Sequence, residues 1–155
     1  MTVGFGKRLL FFPHLISTLF ILCGLLFSAA SAANVPSDSD QDILIKTSLM
    51  TFNDANMTGN YAVFVAKAAK EFQAQVTAEK LGTSFEGFRK NELFFESVVT
   101  DEYESSEKAK IDSEGALILA GVFKGEEMRV KYRLRYLKNG NAWKLLGINV
   151  DATRL

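Results

Sequence analysis

The chain has 155 residues, with 18 basic and 18 acidic side chains, so its formal net charge at pH 7 is zero. This balance argues against a nucleic-acid partner, because domains that bind nucleic acids carry a clear basic excess. The length corresponds to one ordinary domain with an N-terminal extension.

Residues 1–32 have the pattern of a cleavable secretory signal peptide. A basic pair precedes an apolar run at 15–27, and small residues follow, with Ala30 and Ala32 where signal peptidase requires them. The run is shorter than the about 20 apolar residues of a membrane span. We predict a mature protein that starts near Ala33, is periplasmic or secreted, and has no membrane attachment. An uncleaved N-terminal anchor is the alternative.

Cleavage would limit the chemistry of the mature protein. The only histidine, His14, and the only cysteine, Cys23, would leave with the signal. Loss of Lys7 and Arg8 would leave 16 cations against 18 carboxylates, a net charge of −2. Disulfides, histidine-based triads, cysteine nucleophiles and histidine or thiolate metal sites are then excluded. We therefore predict no cofactor and no metal.

Three helices are predicted at the start of the mature chain. Polar residues 33–41 form a tether, and the domain spans 42–155, although the first apolar helical pattern already begins at Asp40 and continues to Met57. Asn60 and Thr77 can cap the second and third helices. Their apolar stripes, expected to be core, are Tyr61, Phe64, Val65, Ala68 and Phe72, followed by Leu81, Phe85 and Phe88.

Strand patterns follow Asn91. Residues 93–100 are aromatic and β-branched, 103–111 form a polar strand or loop, and 112–115 form a turn. The next strand, 116–123, is apolar on both faces. Because the helices can cover only one face, we predict a homodimer in which a second subunit covers the other. One face carries Leu117, Leu119 and Phe123, and the other carries Ile118 and Val122.

The last two strands, 128–137 and 142–150, are predicted to pair through Asn139-Gly140, since both residues accept the positive φ of a type I′ turn. Apolar and cationic residues alternate in the first of them and so occupy opposite faces. We expect the apolar face to line any pocket and the cations to pair with acids such as Glu126 and Glu127. The apolar face carries Val130, Tyr132, Leu134 and Tyr136, and the cationic face carries Lys131, Arg133 and Arg135.

The predicted order is an α+β fold, with three N-terminal helices packed on an antiparallel sheet of four to five strands. Three segments carry a resemblance: "SLMTFNDANMTGNY" (48–61), "FEGFRK" (85–90) and "YRLRYLKNGNAWKLLGINV" (132–150). On these segments the chain resembles the nuclear transport factor 2-like superfamily, which includes ketosteroid isomerase and SnoaL-like polyketide cyclases, and most of all its small exported bacterial members. The resemblance implies a cone fold with a curved sheet, and it specifies fold rather than activity.

The leading hypothesis for function is an exported, non-catalytic module that binds a small apolar ligand or a protein partner. One alternative is a cofactor-independent isomerase or cyclase-like enzyme for a small hydrophobic substrate, with Tyr132 and Tyr136 as candidate hydrogen-bond donors. Glu96 is the nearest candidate for the base, although strand alternation favours an outward-facing side chain there. Another is a subunit of an envelope assembly. The predicted pocket-lining residues are Tyr132, Leu134, Tyr136, Phe64, Phe72, Phe85 and Phe88.

Overall fold

Helix α1 spans Asp38–Thr58 in the computed structural model, which describes residues 34–155, so the predicted signal peptide lies outside the described residues. The Ser37 side chain accepts a hydrogen bond from the Asp40 backbone N–H and caps the helix. Gly59 ends it in the left-handed conformation. Because Ser37 is the cap, the helix begins before the predicted Asp40, and residues 38–41 are helical rather than part of a tether.

The next two predicted helices are each divided. Helices α2 (Ala62–Lys67) and α3 (Lys70–Gln75) are separated by Ala68 and Ala69, whose backbone is extended. The helix breaks there because the Ala69 N–H donates to the Leu145 carbonyl (2.8 Å) instead of to a carbonyl of the preceding turn. Thr77 caps the following helix as predicted, and that helix ends at Phe85. The structure therefore has four short helices here: α2 (Ala62–Lys67), α3 (Lys70–Gln75), α4 (Ala78–Ser84) and α5 (Glu86–Lys90).

The predicted strand at 93–100 is wrong. Glu96–Val99 forms a 3₁₀ turn that packs against α1. The Phe95 N–H, which a strand would use for pairing, donates to the buried side chain of Asn53 (2.9 Å). Phe95 and Val98 are buried in the helical layer, and the backbone needs no sheet partner there.

The rest of the chain forms one antiparallel sheet. Strands β1 and β2 both pair with one edge of β3. The other edge of β3 pairs with β4, and β4 pairs with β5. The fold is thus α+β, with the helices first and the five-stranded sheet after them, as predicted. The strands are β1 (Tyr103–Ser105), β2 (Lys110–Ile111), β3 (Leu117–Lys124), β4 (Met128–Asn139) and β5 (Ala142–Arg154).

The β4–β5 hairpin is confirmed, with its turn one residue later than predicted. Asn139 pairs with Ala142, so the two-residue loop is Gly140-Asn141. Of these two residues only Gly140 has a positive φ (61°). A glycine at the first central position defines a type II′ turn rather than type I′.

The predicted turn before β3 is also present. The Asp112 side chain accepts hydrogen bonds from the backbone N–H groups of Glu114 and Ala116 (both 2.9 Å), and Gly115 has a φ of 77°. The Ala116 N–H, followed by the Arg135 guanidinium, lowers the pKa of Asp112. The ionised Asp112 side chain therefore stabilises the turn at pH values above the ordinary pKa of an aspartate. This contribution to stability is lost as the pH falls through the lowered pKa of Asp112.

The alternation in β4 is confirmed, because Val130, Tyr132, Leu134 and Tyr136 are all buried. On the opposite face Arg133 pairs with Glu107, and Arg135 pairs with Asp112 (2.9 Å) and Glu114 (2.7 Å). These pairs are largely exposed and each contributes little to stability.

The prediction that Glu126 and Glu127 pair with those cations is wrong. Both lie in the turn between β3 and β4. Arg133 is five residues into β4 from Met128, about 16 Å along the strand at roughly 3.3 Å per residue. The acids that reach the cations come instead from the β1–β2 and β2–β3 connections.

The outer face of β3 is covered within the single chain at Ile118 and Ala120, whereas Val122 is half-buried. Ile118 pairs in register with Lys110 and Arg135, and it is only 2% exposed. Ala120, beside Arg133, is also buried. The aliphatic parts of long cationic side chains can cover apolar neighbours in this way. Ile118 therefore does not need a second subunit, and the homodimer stays a prediction.

Candidate functional site

A cavity of about 260 Å³ lies where α1, α2 and the closed end of the β4–β5 hairpin meet. Its volume is near the lower end of small-molecule pockets. Most of its wall is apolar, with hydroxyl groups from α1 and one lysine from α2. The lining residues are Ile43, Leu44, Thr47, Ser48, Thr51, Phe64, Lys67, Ala68, Tyr136, Trp143, Lys144 and Leu145.

Helix geometry explains the contribution of α1. Its lining residues are spaced four residues apart, beginning with Ile43, and so occupy one face. Ile43 is 59% exposed and Thr47 is exposed too, so this face opens the cavity to solvent. Leu49, on the opposite face, and Phe52, one turn after Ser48, are fully buried in the core.

A β-bulge directs the hairpin side of the cavity. Arg135 pairs with Gly147 but Tyr136 pairs with Leu145, so Leu146 is the extra residue. This shift brings Leu145 onto the buried face that carries Tyr136, and alternation then puts Trp143 there as well. Without the bulge, the tryptophan would lie on the outer face.

The buried end of the cavity is closed by a hydrogen-bonded tyrosine. The Tyr136 hydroxyl lies 2.9 Å from both the Leu44 carbonyl oxygen and the Ser48 Oγ. A phenol has one proton and the carbonyl can only accept. The Tyr136 hydroxyl therefore donates to the Leu44 carbonyl and accepts from the Ser48 hydroxyl. Burial raises the pKa of Tyr136, which keeps the hydroxyl protonated.

The structure brings two of the seven predicted pocket residues, Phe64 and Tyr136, to this cavity. The other five lie elsewhere because they pack with other side chains. Phe72 contacts Phe64, Phe85 and Phe88 surround Phe52, Tyr132 packs against Tyr103 and Phe123, and Leu134 is fully buried.

Sequence reasoning missed Trp143, Lys67 and the α1 residues of the cavity. The period of α1 contains a usable signal, because Ile43, Thr47 and Thr51 mark the edge of its apolar stripe. The orientation of Trp143 has no such signal, since it depends on the bulge.

The groups of the alternative enzyme hypothesis are not assembled into a site. Glu96, the nearest candidate for the base, is exposed in the 3₁₀ turn. The Tyr132 hydroxyl is buried with no hydrogen-bond partner among the described residues, and burial raises its pKa. Asp42, whose charge also acts on Tyr132, is ion-paired with Lys46 at 3.4 Å. Within residues 34–155 the fully buried polar side chains are Asn53 and Asn56, both neutral.

Two segments that carry the resemblance are joined by hydrogen bonds. The Tyr61 hydroxyl donates to the buried Asn56 side chain and accepts from the Arg89 guanidinium (3.2 Å). Arg89 also donates to the Gly82 carbonyl (2.7 Å). These bonds fix the end of α1 to α4 and α5, so they have a structural role.

Residues 34–155 contain neither a candidate metal-binding cluster nor a candidate membrane span. From residue 34 onward, no group of three or more His, Cys, Asp or Glu side chains is placed to hold a metal ion. None of the helices described is long and apolar enough to span a bilayer.

A matched pair of substitutions on β4 tests the hydrogen-bond assignment at the cavity. Tyr136→Phe should lower the free energy of unfolding by about 1 kcal/mol, because it removes the contacts to Leu44 and Ser48. Tyr132→Phe removes no bond to a described residue, so the change should stay within about 0.5 kcal/mol. Urea denaturation measures both, and a larger loss for Tyr132→Phe would contradict the assignment.

No family model, curated protein or solved structure matches the chain. The resemblance to the nuclear transport factor 2-like superfamily rests on the three quoted segments and stays a prediction. The cavity is therefore the feature of the chain that indicates a function.

Proposed function

We propose that this chain is an exported, non-catalytic binding module that holds a small apolar molecule in the cavity between α1, α2 and the hairpin. The observation that carries the proposal is the cavity itself, with its apolar wall and its opening beside the exposed Ile43. An exposed apolar side chain at the mouth of an apolar cavity favours the entry of apolar molecules.

The finer features of the fold belong to the same proposal. The bulge in β5 bends the hairpin, which supports a curved sheet of the cone type. In this architecture the sheet and α1 provide walls of the cavity, and the ligand enters beside Ile43 and Thr47.

Octanol is a suitable probe of binding. At roughly 30 Å³ per water-sized group, a cavity of about 260 Å³ holds roughly nine non-hydrogen atoms, which is about the size of octanol. Trp143 is the only tryptophan of the chain and lines the cavity, so its fluorescence reports occupancy. We expect saturable quenching or a blue shift, with a Kd on the order of 0.1 mM.

Two Thr→Phe variants localise the binding. Thr47→Phe places a ring at the mouth of the cavity and should weaken octanol binding at least about tenfold, which is about 1.4 kcal/mol. Thr153→Phe makes the same change on the exposed face of β5, opposite Arg129, and should bind like the wild type. Circular dichroism verifies that both variants fold. A wild type without saturable binding, or a Thr47→Phe variant that binds normally, would refute the proposal.

A further inference from the structure

Lys67 is one of two lysines that line the cavity. It lies in the last turn of α2, and its Nζ is 3.3 Å from the Thr51 Oγ1 of α1. Both residues line the cavity, so the ammonium group lies at its wall. The Thr51 hydroxyl donates to the Thr47 carbonyl (2.8 Å) and therefore accepts from Lys67.

The Lys67 ammonium has no carboxylate partner in the part of the chain that the structure describes. The ion pairs found there within 4.0 Å involve other cations. Asp54 lines the neighbouring groove together with Lys67 but does not come within that distance. An ammonium group has three donors, and the bond to Thr51 uses one. Two donors remain for a ligand.

The second lysine of the cavity wall is oriented differently. Lys144 pairs in register with Leu137, one residue out of phase with Trp143 and Leu145. Alternation therefore directs its side chain to the outer face of the hairpin. Lys67 is left as the cation whose ammonium group a hydrogen bond holds at the cavity wall.

Three hydroxyl groups of the wall already have hydrogen-bond partners within the chain. Tyr136 and Ser48 share their hydrogen bond, and Thr51 bonds to α1. A ligand held here therefore finds an apolar surface along its length and one strong donor at Lys67. A charge-assisted hydrogen bond to an ammonium is about twice as strong as a neutral one.

We infer that the ligand is an amphipathic anion, with an apolar tail in the cavity and a carboxylate-like head group bound to Lys67. The inference rests on the proposed function, because it assigns the chemical class of the molecule that fills the same cavity. The volume limits the tail to roughly eight carbons, by the same roughly 30 Å³ per group. Octanoate has this size and charge.

Three probes with the same tail test the head group. Octanoate, octanol and octylammonium are titrated into the wild-type protein at neutral pH, with Trp143 fluorescence as the signal. We expect octanoate to bind at least about tenfold more tightly than octanol, and octylammonium most weakly, because Lys67 attracts the anion and repels the cation. Raising the salt concentration should reduce the preference for octanoate and leave octanol unchanged.

Lys67→Gln removes the charge and keeps a side chain of similar length. In this variant octanoate should bind no more tightly than octanol, whereas the octanol affinity should remain as in the wild type. Lys70→Gln is the matched control, because Lys70 lies outside the cavity wall at the start of α3, and it should preserve the preference.

The outcomes separate this inference from the proposed function. Equal affinities of octanoate and octanol for the wild type would overturn the inference and leave the binding module intact. A preference that survives in Lys67→Gln, or that disappears in Lys70→Gln, would overturn the assignment to Lys67. Absence of binding by all three probes would overturn both proposals.

Discussion

Phe52→Ala is expected to lower the free energy of unfolding by about 3–5 kcal/mol, as truncation of a fully buried aromatic residue does. The Phe52 ring contacts the rings of Phe85, Phe88, Phe64 and Phe95 at centroid distances of 4.6, 5.6, 5.8 and 6.3 Å. It therefore joins α1 to α2, to α5 and to the 3₁₀ turn. A domain of this size is stable by about 5–15 kcal/mol, so this loss is a large fraction of its total stability.

Phe94→Ala is the matched control for this prediction. Phe94 is adjacent in sequence to Phe95 but only half-buried, so the same truncation should reduce stability by less than about 2 kcal/mol. Urea unfolding followed by circular dichroism gives both values from the transition midpoints. Equal losses for the two variants would show that Phe52 is not the centre of the core.

Gly121→Ala is expected to destabilise the protein by about 2–3 kcal/mol through overpacking. A methyl group at Gly121 would lie 2.5 Å from the Tyr132 hydroxyl oxygen and 2.6 Å from the Glu104 carbonyl oxygen. The carbonyl belongs to the backbone of β1, so it cannot move without disturbing the pairing of β1 with β3. The glycine thus allows the Tyr132 ring and β1 to approach β3 closely.

The same substitution at Gly87 should have the opposite sign. No atom lies within 4 Å of the position that a Cβ would occupy there, and the residue is helical within α5. Gly87→Ala should therefore raise the free energy of unfolding by about 0.5–1 kcal/mol, because alanine loses less backbone entropy in a helix. Thermal unfolding measures both variants. A neutral Gly121→Ala, or a destabilising Gly87→Ala, would contradict the packing described here.

Local sequence patterns predicted the features that depend on local chemistry. Asn139-Gly140 indicated the hairpin because a tight turn requires a residue that accepts a positive φ, and only the position of the loop differed. The alternation in β4 predicted its buried face because side chains in a strand alternate strictly. Thr77 was found as a helix cap for a similar local reason.

Features that depend on distant partners were missed. The stripe from Tyr61 to Phe72 has the period of one helix, but a hydrogen bond from Ala69 to Leu145 divides it. Phe95 belongs to a segment with strand composition, yet its N–H bonds to the side chain of Asn53, 42 residues earlier. Such bonds override local propensity because an unsatisfied buried N–H is costly.

The cavity was missed for the same kind of reason. Its hairpin wall depends on the bulge at Leu146, and its outer wall depends on the break between α2 and α3. The two irregularities meet in the hydrogen bond between Ala69 and Leu145. The sequence therefore predicted the layers of the fold better than the space between them.

Intermolecular nuclear Overhauser effects between octanoate and the protein show directly whether the ligand occupies the cavity. They report which protein protons lie within about 5 Å of the ligand. If octanoate binds in the cavity, its tail will show such effects to the indole protons of Trp143 and the ring protons of Phe64, and these will disappear in Thr47→Phe. Effects confined to other parts of the protein, or none at a saturating ligand concentration, would show that the cavity is not the binding site.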